Sequence, residues 1–312
     1  MKKSIVALLL ILTLLLGLTG CEERFPKVKD TFANGLNYGN TLAAEQGDYL
    51  VLRGGKDGAP GVFLYHKPSR KTQFVVSNDV YHIAFCDNVV YYKNLNNDCL
   101  YSYDLQTKEH RILLEVCLNY QVRDGVVYYL DDDHGNYLKT YDIANAAGGK
   151  LETSYTVDSF ALTDYGMYYS DDTKGILMVL AWGAKMDRVV ASQTGMIYRD
   201  VEAVEGADVV YLRVNNETAE ATLCSYKAAK NQTTDLLTGA FDHHQYTNGY
   251  SVVIHDDTIC AVNVADGTTE NWGATDEDYA YVQIMSDCVI YYNETDEDSA
   301  LKASIQYYPE KK

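Results

Sequence analysis

Apolar and polar positions alternate in short runs along most of this chain, and the runs recur. The clearest is Asp87 to Leu114, DNVVYYKNLNNDCLYSYDLQTKEHRILL. Val89, Val90, Tyr91 and Tyr92 are β-branched or aromatic, and Asn94 to Asp98 is a polar, turn-forming break. Leu100 to Leu105 resumes the pattern, and Gln106-Thr107-Lys108-Glu109 separates it from a last run at Arg111 to Leu114. With Tyr81 to Cys86 ahead of it, the stretch predicts a four-stranded antiparallel meander, strands a to d. A single sheet of this kind leaves an apolar face uncovered, so it must stack on another layer.

Sliding the Val-Val-Tyr-Tyr signature along the chain finds copies anchored at Val51, Tyr91, Tyr128, Tyr168, Tyr211, Ile254 and Tyr291. Intervals of about 40 residues, with four short strands in each, are the mark of propeller blades. The expectation is an all-β, seven-bladed β-propeller of four-stranded blades, with six or eight blades as alternatives. Helical solenoids of similar period need apolar residues at i, i+3, i+4 and i+7, and these units alternate instead. Asp266-Gly267 is the strongest hairpin signal, because Asp-Gly accepts the positive φ angles of a type I′ turn. The last unit supplies strands near Tyr281 to Met285, Val289 to Asn293 and Leu301 to Tyr307, with no outer strand after them. Val28 to Phe32 is expected to fill that edge, as propellers commonly close by borrowing a strand from the other terminus.

Tyr168-Tyr169-Ser170-Asp171, and more loosely Tyr128-Tyr129-Leu130-Asp131, resemble the repeat of the propeller in low-density-lipoprotein-receptor-related proteins. A closer resemblance is to a tyrosine-rich family of bacterial propellers of unknown function, which open on stretches like Gly39-Asn40-Thr41 and Gly47-Asp48. It covers roughly residues 35 to 308. The repeat tryptophan is tyrosine here and the receptor's cysteine-rich modules are absent, so receptor-type ligand binding does not carry over.

Residues 1 to 20 read as a lipoprotein signal peptide. Lys2 and Lys3 precede an apolar core from Ile5 to Leu16, and Leu18-Thr19-Gly20-Cys21 looks like a lipobox. The core is shorter than the roughly 20 residues of a spanning helix. Cys21 is therefore the expected lipidation site, residues 21–40 a lipidated N-terminus and short tether, and residues 41–308 the propeller. The chain is expected on the extracytoplasmic face of a bacterial membrane, held by its acylated cysteine. Without Lys2 and Lys3, 24 basic residues face 44 acidic ones, a field that repels nucleic acid.

The remaining cysteines, Cys86, Cys99, Cys117, Cys224, Cys260 and Cys288, lie mostly inside strand patterns and are expected as free thiols, with one cross-blade bridge as the alternative. No cofactor fingerprint, catalytic elbow or zinc motif occurs. Asp131 to Asn136 has oxygen ligands but no full calcium-loop spacing, and adjacent His243 and His244 point to opposite faces of a strand. No metal site is expected. Each joint between strand d and the next strand a brings a tyrosine, which offers a flat ring for stacking and a hydroxyl for hydrogen bonds. A mouth site centred on Tyr81, His82, Tyr198, Arg199, His244 and Tyr246 follows, presented to a glycan, peptide or protein partner. An extracytoplasmic hydrolase or lyase at the same mouth, or a scaffold in an envelope complex, is the alternative. Replacing Cys21 by Ser is expected to move the protein from the membrane to the soluble or uncleaved fraction; an unmodified Cys21 in membrane-extracted mature protein, read by mass spectrometry, would refute the anchor.

Overall fold

The computed structural model describes residues 42–56, 59–131, 137–151, 153–204, 206–241, 244–255, 258–274, 281–294 and 301–308. They build seven antiparallel sheets whose strands pair in chain order. The first sheet holds β1 (Ala43–Gln46), β2 (Tyr49–Lys56), β3 (Ala59–His66) and β4 (Lys71–Val76). The second holds β5 (Val80–Cys86), β6 (Val89–Asn94), β7 (Leu100–Asp104) and β8 (His110–Leu114), and the third β9 (Tyr120–Arg123), β10 (Val126–Asp131), β11 (Tyr137–Asp142) and β12 (Ala147–Lys150). β13 (Ser159–Leu162), β14 (Gly166–Asp171), β15 (Ile176–Ala181) and β16 (Arg188–Ser192) make the fourth. β17 (Met196–Ala203), β18 (Val209–Asn215), β19 (Ala221–Lys227) and β20 (Gln232–Gly239) make the fifth. The sixth has β21 (His244–Thr247), β22 (Tyr250–His255), β23 (Thr258–Asn263) and β24 (Thr269–Ala274); the seventh has β25 (Tyr281–Ile284), β26 (Cys288–Glu294) and β27 (Leu301–Tyr307). These are the blades of a seven-bladed propeller, closed where β27 meets β2. Six blades have four strands; the seventh has three among the described residues, and Val28 to Phe32 lies outside them.

Every pair of neighbouring blades shares an apolar core of its own. Val51, Leu64, Ile83, Phe85 and Tyr92 join the first two blades, and Tyr168, Val179, Tyr211 and Tyr226 join the fourth and fifth. Ile290 and Tyr292 meet Leu50 and Tyr65 where the ring closes. Each such side chain contributes about 1.5–3 kcal/mol when removed from water, so the tyrosine-rich second strands are the main apolar cement. The six cysteines of the propeller are all free thiols, and most are buried among these side chains.

Two readings from the sequence change. Tyr211, Ile254 and Tyr291 do not share the phase of Tyr128. Counted from the inner hairpins, the residues at that phase are Val210, Val252 and Ile290, which face Glu202, Gln245 and Gln283 as Tyr128 faces Gln121. The second strands are apolar on both faces, as in the fully buried β14, so nothing in their alternation fixes a phase. The type I′ turns also lie elsewhere. Asp87-Asn88 (φ 51° and 64°), Asp124-Gly125 (50° and 74°) and Asn248-Gly249 (46° and 85°) have positive φ at both positions, whereas at Asp266-Gly267 only the glycine does, at 76°. There the Asn263 side chain takes the Ala265 N–H (2.8 Å) and its carbonyl the Gly267 N–H (2.8 Å), winding a longer connection.

The innermost strands have one unpaired edge each, and at five of the seven seams a polar side chain from the neighbouring blade takes an N–H of it. Gln121 accepts from Leu162 N–H (3.2 Å) and donates to the Phe160 carbonyl (2.8 Å). Glu202 accepts from Tyr246 N–H, Gln245 from Ile284 N–H (3.2 Å), and Gln283 from Leu42 N–H (3.2 Å). Where the fourth blade has Ala161 at this phase, Ser159 Oγ instead takes Val201 N–H at 3.0 Å. Gln121→Ala would strand a buried N–H and C=O at the seam between the third and fourth blades. We expect a loss of about 2–4 kcal/mol in urea unfolding, against less than about 0.5 kcal/mol for exposed Gln106→Ala.

Candidate functional site

One end of the ring is formed by the connections between second and third strands and by those that lead into each innermost strand. On the fourth to sixth blades these gather a carboxylate cluster. Asp158 precedes β13, Asp172 follows β14, and Arg199 and Asp200 sit in β17 where its pairing with β18 slips between Arg199 and Glu202. Asp200 has φ 49°, a left-handed conformation that Asp tolerates better than most residues. The turn carrying Asp172 is pressed against the start of β17: a Cβ on Gly175 (φ 60°) would lie 2.4 Å from the Met196 carbonyl oxygen.

Asp172 is the residue with distorted chemistry. Its backbone N–H donates to Asp158 Oδ2 at 2.8 Å, while its own Oδ1 is buried with no hydrogen-bond partner among the described residues. Burial first, then the Asp158, Asp171 and Asp200 carboxylates, push its carboxyl up to about 6, with Arg199 opposing them. Asp171 is held apart by Thr156 Oγ1 (2.8 Å) and Lys174 N–H (2.9 Å). Asp172 therefore exchanges its proton near neutrality, as a general acid or base requires.

Behind this cluster lies a group that resembles a catalytic triad and is closed to substrate. Ser251 Oγ is 2.9 Å from His244 Nδ1, His244 Nε2 is 2.6 Å from the Asp200 carbonyl, and Glu202 Oε2 is 3.8 Å from Nδ1. The bonding assigns the proton to Nε2, which donates to Asp200, so Nδ1 accepts from the serine hydroxyl. Ser251 is 0% exposed, so its oxygen cannot reach a carbonyl carbon in solution. The group instead clamps the strained backbone at Asp200. Burial raises the Glu202 carboxyl well above the ordinary range.

The six residues singled out from the sequence divide. Arg199 and His244 stand with the carboxylate cluster. Tyr81 and His82 belong to a second polar group on the second and third blades: Tyr81 donates to Asp98, and the buried Lys93 lies 4.8 Å from the Tyr81 ring centre and 3.4 Å from the Leu118 carbonyl. His82 is bulged out of β5 with φ 48°; burial, then the charge of Lys93, push its imidazole down to about 4. Tyr198 is core, 2% exposed and 5.8 Å from the Tyr211 ring, and Tyr246 contributes its backbone N–H. His243 lies outside the described residues, as do residues 132–136 of the Asp131 loop, whose Asp131 is paired with Lys139. Among the described residues no three His, Cys, Asp or Glu side chains are placed to hold a metal ion. Asp172 was absent from the sequence reading, although the run Tyr168 to Asp172 carried it.

No protein-family model matches the chain, and no curated protein matches it by sequence. Its fold is similar to solved structures at low identity. An oligogalacturonate lyase in complex with manganese aligns with TM-score 0.65 and 11% identity over 92% of this chain and 96% of that one. The oligogalacturonate lyase of Vibrio parahaemolyticus aligns with TM-score 0.62 and 12% identity over 91% and 93%. An acylaminoacyl peptidase of Pyrococcus horikoshii aligns with TM-score 0.60 and 9% identity, over 87% of this chain but 52% of the peptidase. These likenesses are of fold.

The raised Asp172 carboxyl has a measurable signature. The folded state holds this proton up to about 6 and the unfolded state only to about 3.8, so Asp172 lowers stability as pH rises through that window. His82 acts oppositely, costing stability as pH falls from about 6.5 towards 4. We expect Asp172→Asn to raise the urea midpoint at pH 7, leave it unchanged near pH 3.5 and remove the decline between them. An unchanged pH profile would mean that Asp172 titrates normally.

Proposed function

We propose that the chain is an acid–base enzyme of the hydrolase kind acting on an extracytoplasmic glycan, with Asp172 as the proton donor. The observation that carries this reading is the Asp172 carboxyl itself, raised to about 6 and holding one buried oxygen without a partner. Cleavage of a glycosidic bond needs one carboxylic acid to protonate the leaving oxygen and a second carboxylate to act on the sugar or on water. Asp172 fills the first role. Asp158 and Asp200 are the available counterparts, and their charges add to burial in raising the Asp172 carboxyl. Arg199 steadies the cluster and offers a donor to substrate oxygens.

Hydrolysis suits these residues better than elimination from a uronate. Asp158, Asp171, Asp172 and Asp200 outnumber Arg199, so an acidic sugar meets a repelling field. The breadth of fold likeness to lyases and peptidases supports an enzymatic reading over a binding module, as does the burial of Tyr120 and Tyr198, which leaves the mouth without those two rings. Lipid anchorage through Cys21, membership of the tyrosine-rich bacterial propeller family and absence of nucleic-acid partners complete the proposal.

The test is turnover of a panel of neutral and acidic polysaccharides, scored both for new reducing ends and for the ultraviolet absorbance of unsaturated products. Reducing ends without unsaturation, lost about 10²- to 10⁴-fold in Asp172→Asn, are expected. Asp158→Asn and Asp200→Asn assign the counterpart. Unsaturated products would point to elimination, and activity that survives Asp172→Asn would overturn the assignment.

A further inference from the structure

Among the described residues other than glycine, positive φ inside a strand occurs at two positions, His82 (48°) and Asp200 (49°). The two bulges are built alike. β5 slips against β6 between Tyr81 and Ala84 as β17 slips against β18 between Arg199 and Glu202, and Ile83 and Val201, the residues after the strained ones, are both buried. In each case the next blade takes the strained residue's carbonyl: the Tyr120 hydroxyl donates to His82, and His244 Nε2 to Asp200. Tyr120 and His244 share a phase, each standing one residue before the edge amide of its strand, Gln121 or Gln245. Left-handed backbone at a non-glycine residue is unfavourable and persists where its surroundings hold it, commonly at functional sites. Here it recurs three blades apart in a ring of seven, so the bulges stand on nearly opposite walls of the mouth.

One wall carries the Asp172 cluster. On the other, the Lys93 ammonium, 4% exposed, lies 3.7 Å from the Asp98 carboxylate, to which Tyr81 also donates, so the charges beside His82 cancel. His82 is half-buried, and its Nδ1 is buried with no hydrogen-bond partner among the described residues. A buried lone pair without a partner is tolerated better than a buried N–H without one, which assigns the proton to Nε2, on the ring's open side. Burial, then the Lys93 charge, hold this imidazole neutral down to about 4, while Asp172 keeps its proton up to about 6, so the two groups coexist in these forms across the interval. The charges acting on His82 are those of Lys93 and Asp98, with neither Asp172 nor Asp200 among them, so the two walls are separate stations.

We infer that His82 is a second substrate-binding residue, its Nε2–H donating to an oxygen of a neutral oligosaccharide that reaches across the mouth from the Asp172 wall. The inference rests on the glycan-hydrolase reading for the chemistry of the ligand. It adds that a substrate must be long enough to touch both walls, and that the second wall selects an uncharged sugar.

Calorimetric titration of the full chain carrying Asp172→Asn separates binding from turnover, with di- and hexasaccharides of the cello-, xylo-, manno- and chito-series as probes. At least one hexasaccharide is expected to saturate below about 10 mM and to bind about fivefold or more tightly than its disaccharide, the worth of one hydrogen bond. His82→Gly accepts the left-handed backbone and keeps the carbonyl that Tyr120 holds, and His82→Asn tolerates the same conformation with a side chain too short to reach. Both variants, checked for folding by urea unfolding, should weaken the hexasaccharide about fivefold and remove most of its advantage over the disaccharide. No hexasaccharide saturating in that range, no advantage of chain length, or an advantage that survives both variants would each overturn the inference. Binding lost in the His82 variants together with turnover surviving Asp172→Asn would uphold His82 and overturn the Asp172 assignment alone.

Discussion

A propeller stands or falls on what happens at the inner edge of each blade. The first strand of every sheet pairs on one side only, and its other edge lies around the axis, where a buried N–H or C=O without a partner costs about as much as a whole hydrogen bond gains. At five of the seven seams the neighbouring blade provides the partner through one side chain, an amide in Gln121, Gln245 and Gln283, a carboxyl in Glu202 and a hydroxyl in Ser159. The same contacts that satisfy the edge fix the angular position of the next blade. Apolar burial between blades drives association, but it is non-directional; the edge hydrogen bonds make the rotation between blades definite.

That fixed rotation lets residues from three blades form one cluster. Asp158 and Asp172 come from the approach to and the hairpin of the fourth blade, Arg199 and Asp200 from a bulge in the fifth, and His244 from the sixth. The bulge at Asp200 is held from behind by His244, itself held by Ser251, a chain of bonds leading from the core to the mouth. Strain at Asp200 and a carboxyl whose ionisation is opposed by burial and by its neighbours are both unfavourable for folding, and both sit at the mouth rather than in the shell of the ring.

The blades were legible in the sequence because their strands are dense in valine and tyrosine and are broken at regular intervals by Asn, Asp and Gly. Strand limits in the second and last blades follow from that pattern alone. What could not be read was phase. Where β14 or β22 carries consecutive apolar residues, the sequence gives no sign of which one faces the inner strand, so the shared position of Gln121, Glu202, Gln245 and Gln283 emerges only from the pairing. The mouth was legible as a location and less so as chemistry. Arg199 and His244 were found by their place ahead of the blade strand, but Tyr198 in the same stretch is core, because a bulge two residues later turns the chain. Asp172 looked like one more turn carboxylate, and its character comes from burial and from Asp158 and Asp200, 14 and 28 residues away in the chain.

The seam between the seventh blade and the first differs from the others in one respect. Its partners are drawn from opposite ends of the propeller: Ser286 N–H meets Glu45 across 241 residues of chain, and the Tyr292 hydroxyl meets the Leu42 carbonyl across 250. Six seams join residues close in sequence and can form as the chain emerges, whereas this one has the largest loop-closure entropy to overcome and must wait for the last blade. Until then Leu50, Leu52 and Tyr65 present an apolar face with no cover. A nascent chain of this kind is therefore an open arc with an adhesive first blade, and whatever keeps that face from a second copy during synthesis decides whether a closed ring or an aggregate results.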